Sequence, residues 1–86
     1  MPPIRGHGLF QPEEAMRVRI DQQADAVYLD LTGREIESSE EVADGIVLDY
    51  DREGRLVGIE ILDASTKAGD ADTLRKLTLD APHIAA

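Results

Sequence analysis

Twice in this chain apolar residues return at every second position, and this period constrains the fold more than any other feature. The first run is Arg17-Val18-Arg19-Ile20 with Ala26-Val27-Tyr28-Leu29-Asp30-Leu31. The second is Ile46-Val47-Leu48-Asp49-Tyr50 with Leu56-Val57-Gly58-Ile59-Glu60-Ile61-Leu62. A two-residue repeat is that of a half-buried strand, whose successive side chains point to opposite sides. Asp21 to Asp25 is too short and too polar for anything but a turn, so the first run predicts an antiparallel hairpin. In the second, the turn falls on Asp51-Arg52-Glu53-Gly54, a four-residue loop that sets Ile46 and Leu48 with Val57 and Ile59. A type I turn accepts Arg52 and Glu53 and leaves the left-handed position to Gly54. Between the hairpins, Glu35 to Val42 suits a charged edge strand or a wide loop.

The alternation divides the sheet into two faces. Val18, Ile20, Val27, Leu29, Leu31, Ile46, Leu48, Val57, Ile59 and Ile61 are expected on an inner face. Tyr28, Val47, Leu56 and Leu62 fall on the outer one, beside Arg17, Arg19, Asp30, Asp49 and Glu60. Burying an aliphatic side chain is worth roughly 1.5 to 3 kcal/mol, so leaving a face half wet forfeits much of a small domain's stability. One short helix cannot cover both faces, and association with a second copy or a partner is the physical expectation. The outer residues Tyr28, Val47, Leu56, Leu62, Arg17 and Arg19 are the candidate interaction surface.

The expected class is therefore α+β, mainly β: an antiparallel sheet of four to five strands built from two hairpins, with a short C-terminal helix. Residues 16–66 form the core domain. Residues 1–15, broken by Pro2, Pro3, Gly6, Gly8 and Pro12, read as a flexible extension. Residues 67–86 read as a linker and helix, since Leu74 and Leu77 sit three apart and Arg75 and Lys76 fall in the last turn of a segment Asp70 to Leu79.

Composition narrows the function. A chain of 86 residues makes one domain and excludes a two-domain enzyme. The absence of cysteine excludes disulfides, thiolate metal sites and cysteine nucleophiles, and His7 and His83 have no partners at ligand spacing. A net charge of −9 disfavours nucleic acid and anionic membranes and favours a basic protein partner. Met1 to Phe10 lacks the apolar stretch of a signal peptide or membrane span, so a soluble, cytoplasmic protein is expected.

Three patterns invite chemical readings. Asp49, Asp51, Glu53, Gly54 and Glu60 nearly reproduce a twelve-residue calcium loop. Its flanks are β rather than helical, and Glu60 lies about 20 Å of strand away, so a solvated acidic turn is the better reading. The acids Glu35, Glu37, Glu40, Glu41 and Asp44 suggest paired carboxylates, but a charged edge explains them without a cleft. Ser38, Ser39 and Ser65 have neither a nucleophile elbow nor a nearby histidine. Gly6-His7-Gly8 is not accompanied by a strand and makes no phosphate loop. No cofactor is expected.

The segments Met16-Arg-Val-Arg-Ile-Asp21, Ala24-Asp25-Ala26-Val-Tyr28-Leu, Gly45-Ile-Val-Leu-Asp49-Tyr-Asp51 and Gly54-Arg-Leu-Val-Gly58-Ile-Glu60-Ile-Leu-Asp63-Ala64-Ser65 resemble the domain-of-unknown-function family 2283. The resemblance spans about residues 16–66 and implies a small prokaryotic β-rich domain whose relatives usually begin near Met16. Such domains are sometimes encoded beside small toxin-like proteins, which implies an antitoxin-like or accessory role. No catalytic residues come with it. An acidic, compact domain of this kind suits binding better than turnover, so the expectation is a non-enzymatic interaction module that forms a homodimer. The alternative is a small metal-dependent hydrolase using Asp49, Asp51 and Glu60, or the Glu37 to Glu41 run.

Overall fold

The computed structural model describes residues 16–81, so the expected N-terminal extension lies outside the described residues, as do His7 and His83. The fold is mainly β, one antiparallel sheet of five strands in spatial order β1-β2-β5-β4-β3. The strands are β1 (Arg17–Asp21), β2 (Ala26–Asp30), β3 (Ser38–Ala43), β4 (Ile46–Tyr50) and β5 (Leu56–Ile61). Three successive strands, β3 to β5, run as a meander, and β2 returns beside β5, which is a Greek-key arrangement. The acidic stretch around Glu40 is the edge strand β3, exposed along its whole length.

Both long hairpins form, and each turn ends on a left-handed residue: Asp25 at φ 56° and Gly54 at φ 80°. The β4–β5 turn is tighter than expected. Asp51 N–H donates to the Arg55 carbonyl at 2.9 Å, leaving only Arg52, Glu53 and Gly54 in the loop. Leu48 lies opposite Ile59 and Ile46 opposite Ile61, two residues away from the expected alignment. A two-residue slip preserves the faces, whereas a one-residue slip would invert them. The slip is absorbed by a bulge: Asp49 pairs with Gly58 but Tyr50 with Leu56, so Val57 is the extra residue. Leu56, expected on the outer face, is thereby set opposite Tyr50 on the side of Ile46 and Leu48.

Burial reverses the expected roles of the two faces. Of the ten aliphatic residues assigned to the inner face only Val57, at 1% exposure, is buried; Val18 is 41% exposed and the others are half-buried. The opposite face carries the fully buried side chains, Ala26, Tyr28, Asp49 and Glu60, at 0%, 2%, 0% and 1%. Leu62 packs against Ala26 and Tyr28 there. Tyr28 therefore belongs to the interior and not to an exposed interaction surface, and Val47, Leu62, Arg17 and Arg19 are half-buried beside it. Alternation says which side chains share a face, but packing decides which face is dry.

The helix is also displaced. The α-helix α1 is Ala64–Ala68, directly after β5, and the segment expected to be helical over 70–79 contains only a 3-10 turn, Thr73–Arg75. Short helices are marginal in water unless tertiary contacts hold them. For α1 those contacts come from the β1–β2 turn: the Asp25 carbonyl accepts the Ala64 amide at 2.9 Å, and its carboxylate accepts the Ser65 amide at 3.0 Å and hydroxyl at 2.8 Å. In the 70–79 segment the Leu74 carbonyl accepts Gln22 Nε2 at 3.1 Å, one bond against the several that Asp25 makes with α1, and Leu77 is 66% exposed.

Candidate functional site

One group of polar side chains lies on the buried face. Tyr28 on β2 reaches diagonally across β5 to Asp49 on β4, with its hydroxyl donating to Oδ2 at 2.9 Å. The crossing depends on Gly58: a Cβ there would lie 2.6 Å from Tyr28 Cζ and 2.9 Å from the Leu29 carbonyl oxygen, and would also meet the Tyr28 hydroxyl. A glycine inside an alternating strand is the sequence signal of such an approach. Asp49 also accepts the Ser39 hydroxyl at 2.5 Å through Oδ1, so three side chains join β2, β4 and β3 across the glycine of β5. Glu60 stands opposite Tyr28 on the same face.

A second carboxylate centre lies at the end of the β4–β5 hairpin. Asp51 is 6% exposed and caps its own turn, accepting the Glu53 and Arg55 amides at 2.9 Å each. Its other oxygen accepts Arg55 Nε at 2.9 Å and lies 3.8 Å from Arg34. The Arg55 amide holds the Asp51 carboxyl below its usual pKa; burial opposes this, and the Arg55 side chain and Glu53 amide reinforce it. A groove of about 330 Å³ runs beside it, lined by Arg34, Glu35, Glu37, Asp51, Arg52, Glu53 and Arg55.

The four calcium candidates are thus dispersed. Asp49 faces Tyr28 and Ser39, Asp51 holds a turn and two arginines, Glu53 pairs with Arg55 at 2.9 Å, and Glu60 is buried in mid-strand. Among the described residues no three His, Cys, Asp or Glu side chains converge as a metal site would require. Of the run from Glu37 to Glu41, Glu40 and Glu41 lie on the exposed β3 edge, whereas Glu37 precedes β3 and lines the open groove beside Asp51. Arg17 stands opposite Asp30, whose Oδ1 accepts the Thr32 and Gly33 amides at 3.2 and 2.8 Å. The arrangement stabilises turns and ties strands together.

Two further features of the fold, the Asp25–Ser65 cap and the turn at Gly45 between β3 and β4, stand outside the sequence reading. The Asp25–Ser65 cap joins residues forty apart, beyond the range of any local pattern. The Gly45 turn, left-handed at φ 73°, was legible in the dipeptide Asp44-Gly45, a common hairpin signal. The Asp25–Ser65 cap joins segments that carry the family resemblance, as does the Tyr28, Gly58 and Asp49 crossing.

No helix among the described residues is long and apolar enough to cross a membrane. Neither a curated protein nor a solved structure matches the chain. The family described as "Protein of unknown function (DUF2283)" matches residues 17–65, the whole sheet together with the first residues of α1, and the chain belongs to that family.

Proposed function

We propose that this protein is a non-enzymatic interaction module that forms a homodimer through the aliphatic face of its sheet and presents its acidic surface to a basic protein, as an antitoxin or accessory subunit does. The observation that carries this reading is the aliphatic face itself. Val18, Ile20, Val27, Leu29, Ile46, Leu48, Ile59 and Ile61 line one side of four adjacent strands, and none is buried within the chain. A contiguous apolar patch of this kind marks a contact surface. The helical elements do not supply the cover, since α1 and η1 (Thr73–Arg75) make their main contacts with each other. The charge of −9 supports the second half of the proposal, because it attracts a basic partner and repels phosphate backbones.

Light scattering on a sizing column at physiological salt tests the first half. The expected mass is that of a dimer, and Leu48→Asp, at the middle of the face, is expected to give a folded monomer. A wild-type monomer at every concentration would sink the proposal. For the second half, a pulldown from source lysate at low salt is expected to enrich a basic protein that is lost at high salt. Recovery of nothing above background would remove it. The hydrolase alternative is not favoured, because no three of its carboxylates converge among the described residues, Asp49 is held by two hydroxyls, and Asp51 by its turn and arginines.

A further inference from the structure

Lys76-Leu77-Thr78-Leu79-Asp80 reads cation, apolar, polar, apolar, anion. Its backbone begins extended, with Lys76 at φ −130° and ψ 129°, yet the run joins no strand. Leu77 and Leu79 are 66% and 72% exposed, the barest large apolar side chains among the described residues. An alternating segment that begins extended and bares its leucines has the pattern of a strand without a sheet.

The sheet has two edges, and they differ. β3 is charged at Glu40 and Glu41 and bulged at Val42, two devices that block strand addition. β1 is charged too, but with both signs, at Arg17, Arg19 and Asp21; it has no glycine, proline or bulge, pairs only with β2, and carries Val18 at 41% exposure. Set antiparallel beside β1, Lys76 falls opposite Asp21, Leu77 opposite Ile20, Thr78 opposite Arg19, Leu79 opposite Val18, and Asp80 opposite Arg17. Opposite charges then meet at both ends, and both leucines extend the aliphatic face. A parallel alignment over the same residues would set Lys76 beside Arg17 and Asp80 beside Asp21, like charges at both ends. Slipping the antiparallel alignment so that Leu77 faces Arg19 would put both leucines on the polar side.

We propose that the β1 edge is a strand-docking site and that its occupant is the Lys76–Asp80 arm of a second copy, exchanged reciprocally between two chains. Within one chain the arm starts beside its own β1, since Gln22 Nε2 donates to the Leu74 carbonyl at 3.1 Å, but it does not enter the ladder. The proposal rests on the self-association reading and deepens it, adding backbone hydrogen bonds and a register to an otherwise apolar contact.

The chain has no cysteine, so engineered disulfides give a clean readout. Directly opposed strand residues have Cα atoms about 4.5 to 5.5 Å apart, within disulfide range. Ile20→Cys and Leu77→Cys are placed in separate chains, mixed and oxidised. The expected main product is a disulfide-linked heterodimer exceeding the homodimer that either chain forms alone. Arg17→Asp is expected to weaken dimerisation about tenfold, and Asp80→Arg in the same chain to restore it. Closure of the Ile20→Cys, Leu77→Cys double variant into a linked monomer would overturn exchange in favour of a folded-back arm. A wild-type dimer that yields no heterodimer would overturn the exchange and leave self-association standing. A protein that is monomeric throughout would remove both.

Discussion

The two faces of the sheet invert the usual arrangement: the aliphatic side is half-exposed, while the side bearing Tyr28, Asp49 and Glu60 is dry. The difference lies in what each face can do alone. Tyr28 and Ser39 both donate hydrogen bonds to Asp49 across strands, which fixes geometry within a single chain. Branched aliphatic side chains have no directional bond to make, and on a one-layer sheet they gain only from something laid over them. One face therefore carries internal specificity, and the other stays partly exposed within the chain.

That contrast is exposed to a series of substitutions. The largest loss is expected for Gly58→Ala, because the added methyl must displace the Tyr28 ring and a backbone carbonyl. Urea unfolding should show about 3 kcal/mol of destabilisation, as for overpacking of a tight core, and a loss under 1 kcal/mol would mean that the crossing is loose. Tyr28→Phe removes a buried donor from Asp49, and about 1.5 kcal/mol is expected in the same measurement.

Gly54 tests the opposite reason for a glycine. A Cβ there meets nothing within 4 Å, so Gly54→Ala is expected to cost only the strain of φ 80°, about 1 kcal/mol. Equal losses at the two glycines would contradict the assignment of one to space and the other to backbone conformation. Leu48→Thr on the aliphatic face should change protomer stability by less than about 1 kcal/mol when measured below the dimerisation concentration, yet raise the dissociation constant severalfold. A large protomer loss would show that the face is covered within the chain.

The smallest effect concerns acid. Asp51 has a lowered pKa in the fold, so its stabilisation is complete above the unfolded value near 4 and is lost as pH falls through the folded one. The melting-temperature difference between the wild type and Asp51→Asn should be constant from pH 7 to about 5 and shrink below about 4. A difference that persists unchanged to pH 2.5 would remove the linkage.

Both long hairpins, the left-handed Gly54 and, except at Leu56 beside the bulge, the partition of side chains between two faces could be read directly, because each depends on neighbours within a few residues. The β4–β5 register was harder: the tighter turn and the bulge at Val57 shift the pairing by two residues while keeping alternation intact, so no local pattern distinguishes the two alignments. The short helix was misplaced for a related reason. Leu74 and Leu77 carry a local helical spacing, whereas Ala64–Ala68 is held by Asp25 of the β1–β2 turn, forty residues away in the sequence.

The polar cluster was legible residue by residue but not as a cluster. Asp49 read as one end of an acidic turn, Tyr28 as an exposed aromatic and Gly58 as unremarked alternation; only the strand order β2-β5-β4 lays them side by side. The sequence by itself determined that this chain is a twisted ladder of alternating strands, because side-chain alternation is a property of consecutive peptide units. Which side of that ladder became the interior was decided by tertiary structure, because burial depends on contacts between residues that the sequence holds far apart.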